Sequence, residues 1–274
     1  MPELPEVESI KNGLRPLVAG RRITAVEVFR AGAVKSLPVE DFCRGLAGNR
    51  ILGVERRGKF LIFPLDDRRY LIAHLRMTGV LLWDGGDVPY VSARFHLEGG
   101  HVLVFQDRRG LGKLWLVEGP DTVVGGLGPE PLQPEFSPEA LRERLKKRSA
   151  PIKALLLDQH FLAGLGNMYA DEVLFRARVH PLKRARDLSP AETARLHRAV
   201  REVLSRGIAL KGASVDTYRL PDGGKGSAHS AFQVAHRRGL PCPVCSTPIE
   251  RISLRGRGAY FCPKCQNRLL DIPL

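Results

Sequence analysis

Behind Pro5 the apolar residues Val7, Ile10, Leu14 and Leu17 recur at helical spacing, and the pattern stops near Gly20, which predicts a short amphipathic helix at the start of the chain. From Arg22 to about Val117 the texture changes. Short runs rich in Val, Ile, Leu and Phe, at 23–29, 51–56, 59–65, 70–75, 80–83, 93–97, 102–106 and 113–117, are broken by Gly, Asp and Pro. Many short strands with punctuated turns read as a sandwich or barrel, and Asp66-Asp67 and Gly99-Gly100 suit hairpin connections.

Gly125-Gly-Leu-Gly-Pro-Glu-Pro131 has the composition of a linker, and the pattern beyond it is helical. Ser137-Pro138 and Ser189-Pro190 each place a capping residue before a proline at the first helical position, and Ser189 with Glu192 fits a capping box. Between these two helices, 151–157 and 168–175 read as two more, separated by Ala163-Gly-Leu-Gly-Asn167. Residues 211–238 are polar and Gly-rich with no helical or strand period, and read as a functional loop.

At 274 residues the chain suits two domains with a small appended module. A formal net charge of +14, with Lys and Arg spread from end to end, points to a polyanionic partner. The sequence has no run of about 18 apolar residues and no basic leader followed by an apolar stretch, so the expectation is a cytoplasmic, nucleoid-associated protein without a membrane partner. Four of the five cysteines fall in the last 33 residues; Cys43 stands apart and reads as a small buried hydrophobe.

Those four carry the strongest local signal. Cys242-Pro-Val-Cys245 and Cys262-Pro-Lys-Cys265 are two knuckles that can present four thiolates tetrahedrally to one zinc ion. With every position taken by sulfur the metal is structural, and the hairpin between the knuckles, bearing Arg251, Arg255 and Arg257, suits a grip on phosphate. At the other end, Met1-Pro-Glu-Leu-Pro-Glu6 reads in two ways. After removal of Met1, Pro2 would be a secondary amine beside a carboxylate, able to form an iminium with a sugar aldehyde carbon; alternatively Pro5 and the glutamates only begin a helix. Arg56-Arg-Gly-Lys59, His74-Leu-Arg-Met-Thr-Gly79 and Asp107-Arg-Arg-Gly-Leu-Gly112 put cations and apolar residues together at strand ends, as either ordinary surface or a wedge for a duplex. Gly164-Leu-Gly-Asn167 leads into a helix whose amides could face a phosphate.

Taken in order, Pro2-Glu-Leu-Pro-Glu-Val7, Gly58-Lys59, His74 to Gly79, Gly128-Pro-Glu-Pro131, Lys153 with Leu157-Asp-Gln159, Gly166-Asn-Met-Tyr-Ala-Asp-Glu172 and the cysteine finger resemble the formamidopyrimidine-DNA glycosylase branch of the family shared with endonuclease VIII. The likeness runs from Pro2 to Gln266. It implies an α+β multidomain fold: an N-terminal helix with a β-sandwich over 1–130, a helix–two-turns–helix domain over 131–220, a lesion-covering loop and linker over 221–240, and a β-hairpin zinc finger over 241–274. The activity implied is base-excision repair by a monomeric DNA glycosylase and abasic-site lyase that acts on oxidised purines in double-stranded damaged DNA. Under the same resemblance Pro2 is the nucleophile, Glu3 the proton shuttle, Glu6 a positioning group, and Lys59 and Arg257 assist elimination. His74, Met77, Tyr90, Arg109, Leu111, Lys153, Asn167 and Arg257 contact DNA, with Met77, Arg109 and Leu111 filling the space left by an extruded nucleotide.

Three departures stand against the family pattern. Asp107-Arg-Arg-Gly-Leu-Gly112 replaces the usual Asp-Pro-Arg-Arg-Phe-Gly, Tyr90 stands where a DNA-facing His is common, and Ala228-His229 with Val234-Ala-His-Arg237 replace the usual loop residues. The altered loop leaves open a preference for oxidised pyrimidines. A zinc-finger protein that binds damage without cutting is the alternative from another class.

Overall fold

The computed structural model describes residues 1–35 and 37–267, so residues 268–274 of the C-terminal segment lie outside the described residues. Two compact units divide the chain: residues 1–126 together with 207–229, and residues 127–206 together with the chain from Ser230.

The first unit begins with helix α1 (Leu4–Val18), followed by β1 (Ile23–Val28), α2 (Val39–Leu46), β2 (Glu55–Arg57), β3 (Phe60–Pro64), β4 (Tyr70–His74), β5 (Gly79–Trp83), β6 (Val91–Leu97), β7 (His101–Asp107), β8 (Lys113–Val117) and a single turn of helix, α3 (Asp121–Val124). The strands make two four-stranded sheets, ordered β1-β6-β7-β5 and β2-β3-β4-β8, with every neighbouring pair antiparallel. Side chains alternate across a strand, so Leu61 and Phe63, Leu71 and Ala73, and Leu114 and Leu116 enter one core from the second sheet. Leu81, Phe95, Leu103 and Phe105 enter it from the first, and Val7, Ile10, Leu14 and Val18 cover it from α1. This is the expected helix-covered sandwich.

Two details differ from the pattern-based reading. Helix α2 interrupts the strand-rich region; its signal is local, with acidic Glu40 and Asp41 in the first turn and Phe42 and Leu46 buried four residues apart. Cys43 on this helix is partly buried, packed at the edge of the core rather than inside it. The run 51–56 is also shorter as a strand than its composition suggests, because Ile51 makes an isolated bridge to Leu65 and regular pairing starts at Glu55.

Within the second unit, α4 (Pro138–Lys146) is capped by Ser137, whose hydroxyl accepts from the Ala140 amide at 3.1 Å. α5 (Ile152–Leu156) and α6 (Asn167–Ala177) flank a double turn, and α7 (Pro190–Ala209) starts at the expected capping box between Ser189 and Glu192. β9 (Glu250–Leu254) and β10 (Arg257–Phe261) form the antiparallel hairpin of the finger. The double turn is organised by one amide side chain. Gln159 donates to the carbonyls of Leu157 at 3.1 Å and Leu165 at 2.8 Å, and accepts from the Gly164 amide at 3.0 Å. Among the described residues no helix is long and apolar enough to cross a membrane.

Replacing Gln159 with Ala removes all three bonds and should destabilise the protein by about 1–3 kcal/mol. The expected result in urea is a lower unfolding midpoint at an unchanged slope.

Candidate functional site

Buried carboxylates surround the start of α1. Glu3 is the N-cap residue: its side chain accepts from the Glu6 amide, and its own amide donates to Glu6 Oε2 at 2.7 Å. The other oxygen, Glu6 Oε1, accepts from the amide of Ala213 at 2.7 Å, so the carboxylate ties the first turn to the returning segment 207–229. The approach is close enough to require glycine beside it. Gly212 has φ +77°, and a Cβ there would stand 2.9 Å from Glu6 Cγ. Tyr218 donates to the Lys211 carbonyl at 3.0 Å; burial and the nearby Glu6 charge push its phenol upward. The segment read as an unpatterned loop is therefore ordered by its own bonds. Ala213 bridges Ser227, the Trp83 amide donates to Pro221 at 2.8 Å, and Tyr218 and Leu220 join the core.

Lys59 sits in the turn between β2 and β3 and is almost wholly buried. The turn is held against α1 by Arg56, which donates to Glu8 Oε2 at 2.7 Å and to the Gly58 carbonyl at 3.0 Å. Burial alone would raise the Glu8 carboxyl, but Lys11 and Arg56 hold it below the ordinary range. His74 ends β4, accepts the Arg76 amide at Nδ1 at 3.0 Å, and packs edge-on against Phe60 with ring centroids 4.5 Å apart. Burial, then the Arg76 and Lys59 charges, push its pKa down to about 3. The ring is thus neutral at physiological pH, with its proton on Nε2.

A buried pair, Thr78 and Asp107, laces two exposed loops together. Thr78 donates to Asp107 Oδ1 at 2.5 Å, the Arg109 amide donates to Thr78 Oγ1 at 3.0 Å, and the Gly112 amide donates to Asp107 Oδ2 at 2.6 Å. The Asp107 amide in turn donates to the Tyr90 carbonyl at 2.9 Å. Met77, Tyr90, Arg109 and Leu111 consequently project from one fastened region, at 40% exposure for Met77 and Leu111 and 56% for Tyr90. The sequence reading named the four exposed residues and missed the pair beneath them. The Asp107-Arg-Arg-Gly-Leu-Gly112 turn was the available signal, since an Asp before a tight turn commonly accepts backbone amides.

In the second unit, Arg257 begins β10 and is exposed, beyond a two-residue turn in which Arg255 and Gly256 have φ of +48° and +74°. Lys153 is fully buried, and its ammonium donates to the Gly258 carbonyl at 2.7 Å and lies 2.7 Å from Asp171. It therefore supports the hairpin that carries Arg257. Burial pushes the Asp171 carboxyl up to about 7, against the pull of Lys153. Asn167 starts α6, and its buried Oδ1 has no hydrogen-bond partner among the described residues. Glu172, unassigned from sequence, accepts the amides of Gln233, Val234 and Ala235 at 2.8–3.0 Å and so anchors that stretch.

Cys242, Cys245, Cys262 and Cys265 converge, with all four sulfurs within 4.8 Å of one another and the close pairs 3.4–3.8 Å apart. A zinc ion about 2.3 Å from each of four thiolates needs sulfurs roughly 3.8 Å apart, so the donor set fits one structural zinc. The amides of Val244 and Cys265 point at Cys242 and Cys262 sulfurs, both at 3.4 Å. Buried Gln266 bonds the Cys262 amide and the Val179 carbonyl, both at 2.9 Å, which docks the knuckle behind α6.

A sandwich with a carboxylate-lined N-terminus, a glutamine-stapled double turn and a four-cysteine hairpin finger define a zinc-finger protein of the helix–two-turns–helix class. The profile of the formamidopyrimidine-DNA glycosylase N-terminal domain matches residues 1–114, that of its H2TH domain residues 127–219, and a zinc finger found in FPG and IleRS residues 239–268. The chain is 45% identical to the formamidopyrimidine-DNA glycosylase of Symbiobacterium thermophilum, over 97% of this chain and 89% of that protein. The crystal structure of the MutM (Fpg) protein from Thermus thermophilus is 43% identical and superposes with a TM-score of 0.89, covering 97% of this chain and 98% of that one. The Lactococcus lactis Fpg solved in complex with a Fapy-dG containing DNA is 33% identical, with a TM-score of 0.90 over 97% of this chain and 100% of that one. The chain belongs to the formamidopyrimidine-DNA glycosylase family.

Two outcomes are expected. Cys242→Ser should lower bound zinc from one equivalent to near zero by elemental analysis, whereas Cys43→Ser should leave it at one. For His74, the depressed folded pKa means that protons bind the unfolded chain first. Its contribution is flat above pH 6.5 and turns destabilising as pH falls from 6.5 toward 3, by up to about 1.4 kcal/mol per pH unit. His74→Gln should flatten the pH dependence of urea stability in that window.

Proposed function

We propose that the protein is a bifunctional DNA glycosylase and abasic-site lyase that removes oxidised purines, such as 8-oxoguanine and formamidopyrimidines, from duplex DNA. The observation that carries this reading is the first turn of α1, where Glu3 and Glu6 are buried beside Pro2 and fixed by backbone amides. Once Met1 is removed, Pro2 presents a free secondary amine beside these carboxylates, able to form an iminium with an aldehyde carbon.

In this mechanism the target nucleotide leaves the stack, at a cost of a few kcal/mol. Met77, Arg109 and Leu111 occupy the gap, on the loops laced by Thr78 and Asp107. Pro2 nitrogen attacks C1′ as the bond from C1′ to the base breaks and the base departs with a proton. Glu3 protonates the ring oxygen, the sugar opens, and the nitrogen–C1′ bond becomes an iminium. Loss of a C2′ proton then expels the 3′ phosphate, a step that Lys59 assists while it and neutral His74 contact the backbone. A second elimination expels the 5′ phosphate and leaves a one-nucleoside gap. Arg257 and Asn167 take backbone phosphates, with Lys153 acting behind the hairpin. The zinc ion holds the finger's shape and takes no part in bond breaking. The net charge of +14 supplies sequence-independent affinity, in keeping with a monomer that searches nucleoid DNA.

Sodium borohydride reduces an iminium to a stable amine. Incubation of the processed protein with an abasic-site duplex and borohydride should yield a covalent protein–DNA adduct, and an added residue ahead of Pro2 should abolish it. Absence of the adduct, or its persistence when the terminus is blocked, would overturn the Pro2 mechanism.

A further inference from the structure

The loop that follows β1 meets the exposed loop after β7 at Gly110. This glycine has φ +64°, and a Cβ there would lie 2.6 Å from the guanidinium carbon of Arg30, so the bare backbone makes room for the Arg30 head. The family pattern carries an arginine at this position, and here the Arg30 guanidinium arrives at the same place from the loop after β1. Three more cations gather at this end of the unit. The Lys113 ammonium donates to the Gly32 carbonyl at 2.6 Å, fastening the loop that bears Arg30. Val34 bridges Leu114 and the Lys35 amide donates to the Leu114 carbonyl at 3.0 Å, which sets Lys35 beside Lys113. His74 pairs with Lys113 across β4 and β8, so Arg76, two residues on, comes to the same end.

Among the described residues, none of Arg30, Lys35, Arg76 and Lys113 makes an ion pair. Burial, then Lys35, Arg76 and Arg30, push the Lys113 ammonium below its ordinary range; Asp107 pulls the other way. Asp107 is already engaged, since its oxygens accept from Thr78, Arg109 and Gly112. Cations converging from three segments without a counterion create a local positive potential that a bound anion relieves.

We propose that Arg30, Lys35, Arg76 and Lys113 form a binding site for a DNA phosphodiester beside the wedge, with Arg30 supplying through the gap at Gly110 the cation that the wedge loop lacks at that position. The inference rests on the reading that this face meets DNA. It is distinct from the contacts assigned to Lys59, His74 and Arg109.

Affinity for a duplex containing a tetrahydrofuran abasic analogue, measured by fluorescence anisotropy across a KCl series, tests it. The slope of log K against log salt should become shallower by about one for Arg30→Ala and by about one to two for Arg30→Ala with Lys113→Ala. The charge-keeping pair Arg30→Lys with Lys113→Arg should retain the wild-type slope. An unchanged slope in the Ala variants, or an equal change in the charge-keeping pair, overturns the site. Borohydride trapping of the wild-type protein separates the two readings: its failure removes the Pro2 reaction, while the slopes still decide the phosphate site.

Discussion

The carboxylate of Glu6 joins two parts of the chain 207 residues apart, and the candidate site depends on that joint. One oxygen receives the amide of Glu3 and the other the amide of Ala213, so the Glu6 carboxylate is fixed from both sides. Hydrogen bonds to a charged acceptor contribute about 1.5–3 kcal/mol each, whereas a buried carboxylate without them would be strongly destabilising. Glu8, one helical turn from Leu4, extends the same arrangement through Arg56 to the hairpin that holds Lys59. A short stretch of helix thereby organises Pro2, Glu3 and Lys59 through backbone amides and the Glu8–Arg56 pair, which leaves little freedom for substitution at positions 6, 8 and 212.

The parts of the fold with local causes were legible in the sequence. Helix α1 announces itself by its spacing of apolar residues, α4 and α7 by Ser-Pro caps, and the finger by its paired knuckles. What escaped was either masked by its neighbours or has distant causes. Helix α2 lies in a region of strands and was hidden by the texture of its neighbours. Residues 210–228 look structureless because their order comes from bonds to one another, to β5 and to Glu6 rather than from a period. No pattern along the chain reveals that residue 213 faces residue 6.

The candidate site divides in the same way. Its exposed members and the two residues that aim them share short ordered motifs, but nothing along the chain shows that those motifs bond to each other. Thr78 and Asp107 are ordinary residues until the two loops are seen to share one hydrogen-bond network. Lys153 shows a second use of a cation, a buried ammonium that meets Asp171 and the Gly258 carbonyl behind the hairpin. Burial decides between the two uses of a lysine, and burial is a property of the assembled chain.

The division of the chain into interleaved units bears on how the molecule is made. Because residues 207–229 belong to the first unit, that unit is not complete in an N-terminal fragment, however long its strand-rich part. During synthesis the sandwich can collapse early, yet the amide that completes the Glu6 joint leaves the ribosome only after the entire double-turn region has been made. Helix α1 is therefore made long before residue 213 and is among the last elements to be finished. A translating chain carries the start of α1 in an unassembled state until most of the protein exists.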